Sequence, residues 1–244
     1  MQFSFGSGSL WGIDSGANPT PGKFGILQDC GVDFAFSSKT LTGSYQFPVA
    51  VARGTGKVSW KAKFAQFSGR VFNSLFFGQT KATGSVLVSE DELGTIATAA
   101  VTVANGATFL DDLGVRSSTT GLPFTRVASA PAVGQYSGPS VAGVYTFNAT
   151  DNGQIVKIDY TYSSASLGEK ITIANQLLGI APSFKTVFTQ QYNSLRETLV
   201  LNASVAAKLG KASKTEDFSM PEMDADCFAD SGNNIGTWSV GEKS

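Results

Sequence analysis

The chain has 244 residues, 42% of them hydrophobic and only 15% charged, with 27 glycines, 8 prolines and a net charge of -1. That length allows one large β domain or two small ones, and the low charge with so much Gly, Ser and Thr points to strands and turns. It contains no histidine, which excludes Ser-His-Asp and Cys-His nucleophiles, His-ligated zinc and the commonest general base near neutral pH.

Period-two alternation, the signature of half-buried strands, recurs along the chain. Val32, Phe34 and Phe36 share one face, opposite Asp33, Ala35 and Ser37. The next segment, Lys39 to Lys57, reads as a long inter-strand connection around the apolar run Phe47-Pro48-Val49-Ala50-Val51-Ala52. Connections of that length inside compact domains are functional or disordered, and this one is too apolar to rest in water. Pro48 argues against a central strand but is acceptable on an edge. Two readings stay open: an arm ordered only against a neighbouring subunit, or a strand packed on its own core. Loop statistics favour the arm.

Val58, Trp60, Ala62 and Phe64 give another apolar face, opposite Ser59, Lys61 and Lys63. A short helix follows, with Ser68 as cap, Val71/Leu75 and Phe72/Phe76 at i,i+4 spacing, and Gly78 closing it. Glycine-rich breaks near 78–84 and 163–168 isolate a central β-rich segment at about 85–165, read as an insertion into a single domain spanning 1–244. Inside it, the strand Val144-Tyr145-Thr146-Phe147 leads through Asp151-Asn152-Gly153, a hairpin signal, to Val156, Ile158, Tyr160 and Tyr162. Phe184, Thr186 and Phe188, then Leu199, Leu201, Ala203 and Val205, predict two further strands. Pro221 to Ala229 predicts a second, acidic helix, since proline suits a first turn and Glu222 and Asp224 suit its dipole. The outer pieces share a loose order of strand pair and short helix, too weak for a repeat.

Charge is unevenly spread: +5 over residues 1–89, -4 over 90–165 and -2 over 166–244. Such a chain can attract copies of itself head to tail, or simply carry solvated faces of different sign. Cys30 and Cys227 form no zinc-type spacing, and a single disulfide between them stays open. The first eight residues lack the basic and apolar regions of a signal peptide, and no stretch reaches transmembrane length, so a reducing cytoplasm is expected until assembly.

No reaction centre emerges. Gly54-Thr55-Gly56-Lys57-Val58 has the outline of a phosphate loop but lacks its first glycine and its Ser or Thr, and leads into a strand. Asp111-Asp112 and Glu90-Asp91-Glu92 read as solvated turns rather than paired catalytic carboxylates. Asp224, Asp226 and Asp230 do not continue as a calcium loop, and no cofactor or metal is expected. Asn148 and Asn202 begin glycosylation triplets that mean nothing without secretion. Trp11, Trp60 and Trp238 read as core or interface anchors, and the basic residues do not interleave with aromatics as in a nucleic-acid reader.

Trp11-Gly12-Ile13, Phe24-Gly25-Ile26-Leu27-Gln28-Asp29, Val32-Asp33-Phe34, Lys39 to Gly43, Gln46 to Gly54 and the Ser68-to-Gly78 helix together resemble the major tail protein of long, non-contractile-tailed bacteriophages, the subunit of the tail tube. Pro131 to Tyr136, Gly143 to Phe147 and Ile158 to Tyr162 are similar in texture to β-rich segments of phage structural proteins. The resemblance implies a mainly β, sandwich- or barrel-like fold with one or two short helices and a long hairpin arm. It also implies a structural virion protein rather than an enzyme, and rings of self-associated copies stacked into a tube through which genomic DNA is ejected. Six copies per ring are usual; trimers of two-domain subunits occur, and the loose echo of the outer pieces leaves that open. Other tail proteins (tape measure, tail tip and terminator) would be its partners, DNA would pass without specific binding, and no membrane is involved. It would reside in the virion tail, and in host cytoplasm during assembly. The inter-ring hairpin would carry Phe47, Pro48, Val49, Ala50, Val51 and Arg53, and Glu90, Asp91, Asp111 and Asp112 are candidates for an acidic lumen. A β-rich adhesin or carbohydrate-binding module, and more distantly a carboxylate-based hydrolase, remain alternatives.

Overall fold

The computed structural model describes residues 4–66, 68–140, 142–213 and 215–241; residues 1–3, part of the start judged above for a signal peptide, lie outside these. The chain is mainly β. Its first strands are β1 (Ser9–Asp14), β2 (Gly22–Lys23), β3 (Leu27–Thr42) and β4 (Pro48–Phe64), followed by helix α1 (Gly69–Phe72). Then come β5 (Lys81–Thr95), β6 (Ala100–Thr102), β7 (Phe109–Ser117), β8 (Thr125–Val127), β9 (Gln135–Ser140), β10 (Val144–Phe147) and β11 (Ile155–Ile171). The last are β12 (Ser183–Tyr192), β13 (Leu195–Gly210), β14 (Glu222–Phe228) and β15 (Gly236–Ser239).

Two compact units result, the first from residues up to Thr80 and from Thr172 onward, the second from Lys81–Ile171. In the first unit the strands run β2-β1-β12-β13-β14-β4-β3, with β15 also on β13, and every pairing is antiparallel. Strands from the two outer pieces pair directly, β1 on β12 and β14 on β4. The outer pieces are therefore halves of one sheet and not two separate domains.

The alternation expected at β4 decides this unit's core. Val58, Trp60, Ala62 and Phe64 all point inward and are buried. Phe24 stacks on Phe64 at 5.0 Å between ring centroids and meets Trp60 and Phe72 edge-on at 6.1 and 5.9 Å. Phe72 comes from α1, which runs on as a π-turn over Asn73–Phe77 and ends at Gly78 in the left-handed conformation (φ 61°). The expected helix is thus present at its expected place, although the Ser68 side chain makes no capping bond. Gly12 lets this helix lie close on β1: a Cβ there would overlap the Leu75 side chain.

Four expectations fail for identifiable reasons. Pro221 to Ala229 forms the strand β14 and not a helix. Its acids Glu222, Asp224 and Asp226 alternate with inward-facing Met223, Ala225 and Cys227, and period two prevails over first-turn chemistry once Lys63, Lys61 and Ser59 of β4 lie opposite. Asp151-Asn152-Gly153 does turn the chain, with Gly153 at φ 87°, but it closes no hairpin. Its flanking strands join different sheets, β10 pairing with β6 and β9 while β11 pairs with β5 and β7. The break near 163–168 is a register shift inside a continuous β11, between Ser164 and Glu169, with Gly168 at φ 73°. On β13 the expected face also slips. A register shift between Phe184 and Thr186 makes Ser204 the buried residue, flanked by half-buried Ala203 and Val205.

The second unit has its own core under a three-stranded antiparallel sheet, β5-β11-β7, and a four-stranded one, β6-β10-β9-β8, in which β8 and β9 are parallel. Val156, Ile158 and Tyr160 are buried as expected, together with Tyr145 and Phe147. Both ends of the unit are tied: Lys81 pairs with Ile171 across the sheet, and its Nζ lies 2.8 Å from a Glu169 carboxyl oxygen.

Because Phe24 touches three aromatic partners in the first core, Phe24→Ala is expected to cost about 3–5 kcal/mol of stability. Urea unfolding followed by near-ultraviolet circular dichroism measures it.

Candidate functional site

The segment expected to be a long connection is instead mostly regular strand. β3 and β4 pair from Leu27↔Phe64 out to Thr42↔Pro48, leaving only a short turn between them. β14 supports β4 from Val58 to Lys63 and no further. Beyond that point β3 and β4 continue as a free two-stranded ribbon. Its outer residues are apolar and solvated: Tyr45 is 86% exposed, Phe47 80%, Val49 70% and Val51 66%. Alternation puts Val49, Val51 and Arg53 on one face and Pro48, Ala50 and Ala52 on the other. The Arg53 guanidinium lies 4.5 Å from the Phe36 ring centroid, placing that ring on the Val49 face. The ribbon's base is held firmly. Phe34 stacks on Trp238 at 6.0 Å, Trp238 Nε1 donates to Glu197 at 2.7 Å, and Lys57 Nζ lies 3.0 Å from Asp226.

The acidic candidates lie in the second unit, and the structure separates them. Glu90, Asp91 and Asp111 are exposed. Asp91 sits at a register shift with φ 57°, and a hydrogen bond from Arg116 holds its carboxyl below the usual range. Arg116 also donates to Asp159 at 2.8 Å. Glu92 points the other way and accepts from the Tyr160 hydroxyl at 2.6 Å and the Ala104 amide at 2.7 Å. Asp112 is not in a solvated turn: its side chain is only 3% exposed. It accepts from the hydroxyls of Tyr136 at 2.7 Å and Tyr145 at 3.1 Å and from the Gly114 amide at 3.0 Å, with Arg126 at 3.6 Å. Asp112 is thus a buried structural carboxyl, unsuited to lining a lumen. Burial, reinforced by Asp112, pushes both tyrosine hydroxyls well above their ordinary range.

Elsewhere Asp224 and Asp226 face the lysines of β4, while Asp230 is used by its own loop, accepting from the Gly232 and Asn234 amides and from Asn202. Among the described residues no cluster of three or more His, Cys, Asp or Glu side chains is placed to hold a metal ion. Cys30 and Cys227 are both free thiols, and burial pushes that of Cys30 up to about 12. Trp60 is a core residue, Trp238 is 59% exposed at the ribbon base, and Trp11 carries Lys23 over its ring at 5.4 Å. No described helix is long and apolar enough to cross a membrane.

One surface was not anticipated from the sequence. The outer face of the β5-β11-β7 sheet exposes Val86, Val88, Leu93, Leu110, Leu113 and Ile155. The signal was present in the alternation Val86, Val88 on one side and half-buried Leu87 on the other. In comparisons with known proteins, no protein-family model and no curated sequence matches the chain.

The raised tyrosines set a sign. A hydroxyl whose folded pKa lies above its unfolded value contributes stability that is full below about pH 10 and is lost as pH rises through the folded value. Alkaline thermal melts are therefore expected to show a loss of stability above about pH 10 that is flattened by Tyr136→Phe combined with Tyr145→Phe. Asp112→Ala, which strands both hydroxyls, is expected to cost on the order of 3 kcal/mol at neutral pH, measured by urea unfolding.

Proposed function

We propose that this chain is a self-assembling structural subunit, a bacteriophage major tail protein whose copies form stacked rings and hence the tail tube. The observation that carries this reading is the β3–β4 ribbon. A rigidly based, two-stranded arm with Tyr45, Phe47, Val49 and Val51 in water is unstable as a free surface and favourable once another surface covers it. Two features add support. The large sheet ends at β3, paired only on its β4 side, so neighbouring copies have a free edge to join. Both outer pieces of the chain build that one sheet, so each copy supplies one wall element, which fits rings of six better than trimers of two-domain chains.

Function then means assembly and conduction. Sheets joined edge to edge close a ring, the ribbon reaches into the next ring, and an unequal, head-to-tail contact of that kind propagates without closing. Genomic DNA would pass along the channel without specific binding, held back by no fixed array of cations. No step requires a cofactor.

The experiment is negative-stain electron microscopy of the purified protein beside Val49→Asp and Val51→Asp. Losing the burial of one valine and burying an unpaired carboxylate together amount to several kcal/mol, so assembly should weaken on the order of a thousandfold. Wild-type rings or tubes with soluble, folded, unassembled variants are the expected result. Tubes from both variants, or glycan capture by isolated wild-type subunits that never assemble, would overturn the reading.

A further inference from the structure

The ribbon needs a receiving surface, and a second face of this same chain has the complementary chemistry. We propose that the Val49 face of the ribbon of one copy packs on the outer face of the β5-β11-β7 sheet of a second copy. This rests on the assembly reading above and names the surface that reading leaves open.

Apolar character comes first. The ribbon offers Phe36, Val49 and Val51 on one face, and Tyr45 and Phe47 at its tip. Together these expose roughly 650 Å², most of what one partner buries in a specific interface. The receiving face offers Val86, Val88 and Leu93 along β5, Leu110 and Leu113 along β7 and Ile155 at the start of β11. Six exposed aliphatic side chains on one face of a three-stranded sheet make an unusual surface to leave in water.

Charge is the second, independent match. From Phe34 to Ser89 the sequence contains no Asp or Glu, so the ribbon carries only Lys39, Arg53 and, at its base, Lys57. The receiving face carries four carboxyls, Glu90, Asp91, Asp111 and Asp159, against two cations, Arg116 and Lys157. Both cations are committed to Asp91, and Arg116 to Asp159 as well. Glu90 and Asp111 have no cationic partner among the described residues, which leaves them to meet Arg53 of the incoming ribbon. Three of the four acids considered for a channel wall thereby belong to a joint between copies.

Size is the third. The stretch Val86 to Leu93 spans about 25 Å, and the part of the ribbon beyond the support of β14 spans about 25–30 Å at strand rise. A two-stranded ribbon laid on a three-stranded sheet packs as two sheets do, with inner faces interdigitated about 10 Å apart.

Two full-length chains test it, one carrying Val51→Cys and the other Val88→Cys, with different affinity tags, mixed and oxidised. The comparison chain carries Ala52→Cys, on the opposite face of the ribbon. The expected result is a disulfide between chains joining positions 51 and 88, identified by peptide mapping and at least tenfold more abundant than any 52–88 product. Arg53→Glu should weaken the link and Glu90→Arg in the partner chain should restore it. The link without tubes would support the docking while removing the tail-tube reading. Tubes in which position 51 links to 88 no better than position 52 does would overturn the docking and leave the tube reading standing. Neither link nor tubes would overturn both.

Discussion

Everything in the first unit depends on the register of one continuous strand. β4 is buried at its C-terminal end, where Val58, Trp60, Ala62 and Phe64 enter the aromatic core, and exposed at its N-terminal end, where Val49 and Val51 meet water. A one-residue slip would turn Trp60 out and the lysines in, so the core fixes the register strongly. Because the strand does not break between core and arm, that choice passes outward through the β3 pairing. It decides which side chains share the ribbon's face. The register shift between Phe36 and Ser38 is where the arm's phase is reset relative to the core. Which side chains share the arm's face is therefore decided by burial far from its tip. Its orientation is fixed at the base by stacked Phe34 and Trp238 and by the Lys57–Asp226 pair.

The second unit solves a different problem. It buries carboxyl groups, and each has hydrogen-bond donors around it. Asp112 receives two tyrosine hydroxyls and an amide, Glu92 receives a tyrosine hydroxyl, a serine hydroxyl and an amide, and Asp151 receives the Gly134 amide and the Gln154 side chain. A buried polar network that is fully met specifies one arrangement, whereas the same groups half met would loosen the core. The unit can therefore leave an outer sheet face apolar without losing definition, since its fold is set by inner contacts that do not involve that face.

The sequence makes β4 legible because its alternation is strict and its lysines are all on one side. It makes α1 legible through i,i+4 spacing and Gly78. β14 misleads because proline and early acids are equally compatible with a helix start. Only the opposing lysines of β4, some 160 residues away, decide between three outward acids on a strand and a helical first turn. The Asp151 turn misleads for a related reason. Local chemistry encodes that the chain turns, but which strands then pair is a non-local property, and β10 and β11 go to different sheets. Asp112 reads as solvated because neighbouring acids usually are. Its two tyrosine partners lie 24 and 33 residues along the chain, and no spacing rule reaches them.

The lack of acids from Phe34 to Ser89 gains its meaning from the exposed surfaces. An apolar arm with carboxylates beside it would be repelled by the acidic sheet face, and an apolar arm without charge would stick to any hydrophobic surface it met. Cations alone on the arm, with excess carboxyls on the receiving face, admit the contact between unlike surfaces and disfavour arm against arm and face against face. The net charge of the whole chain can then lie near zero while its parts do not. In the docking proposed above, the separation of sign along the sequence, and not its sum, directs one copy onto the next.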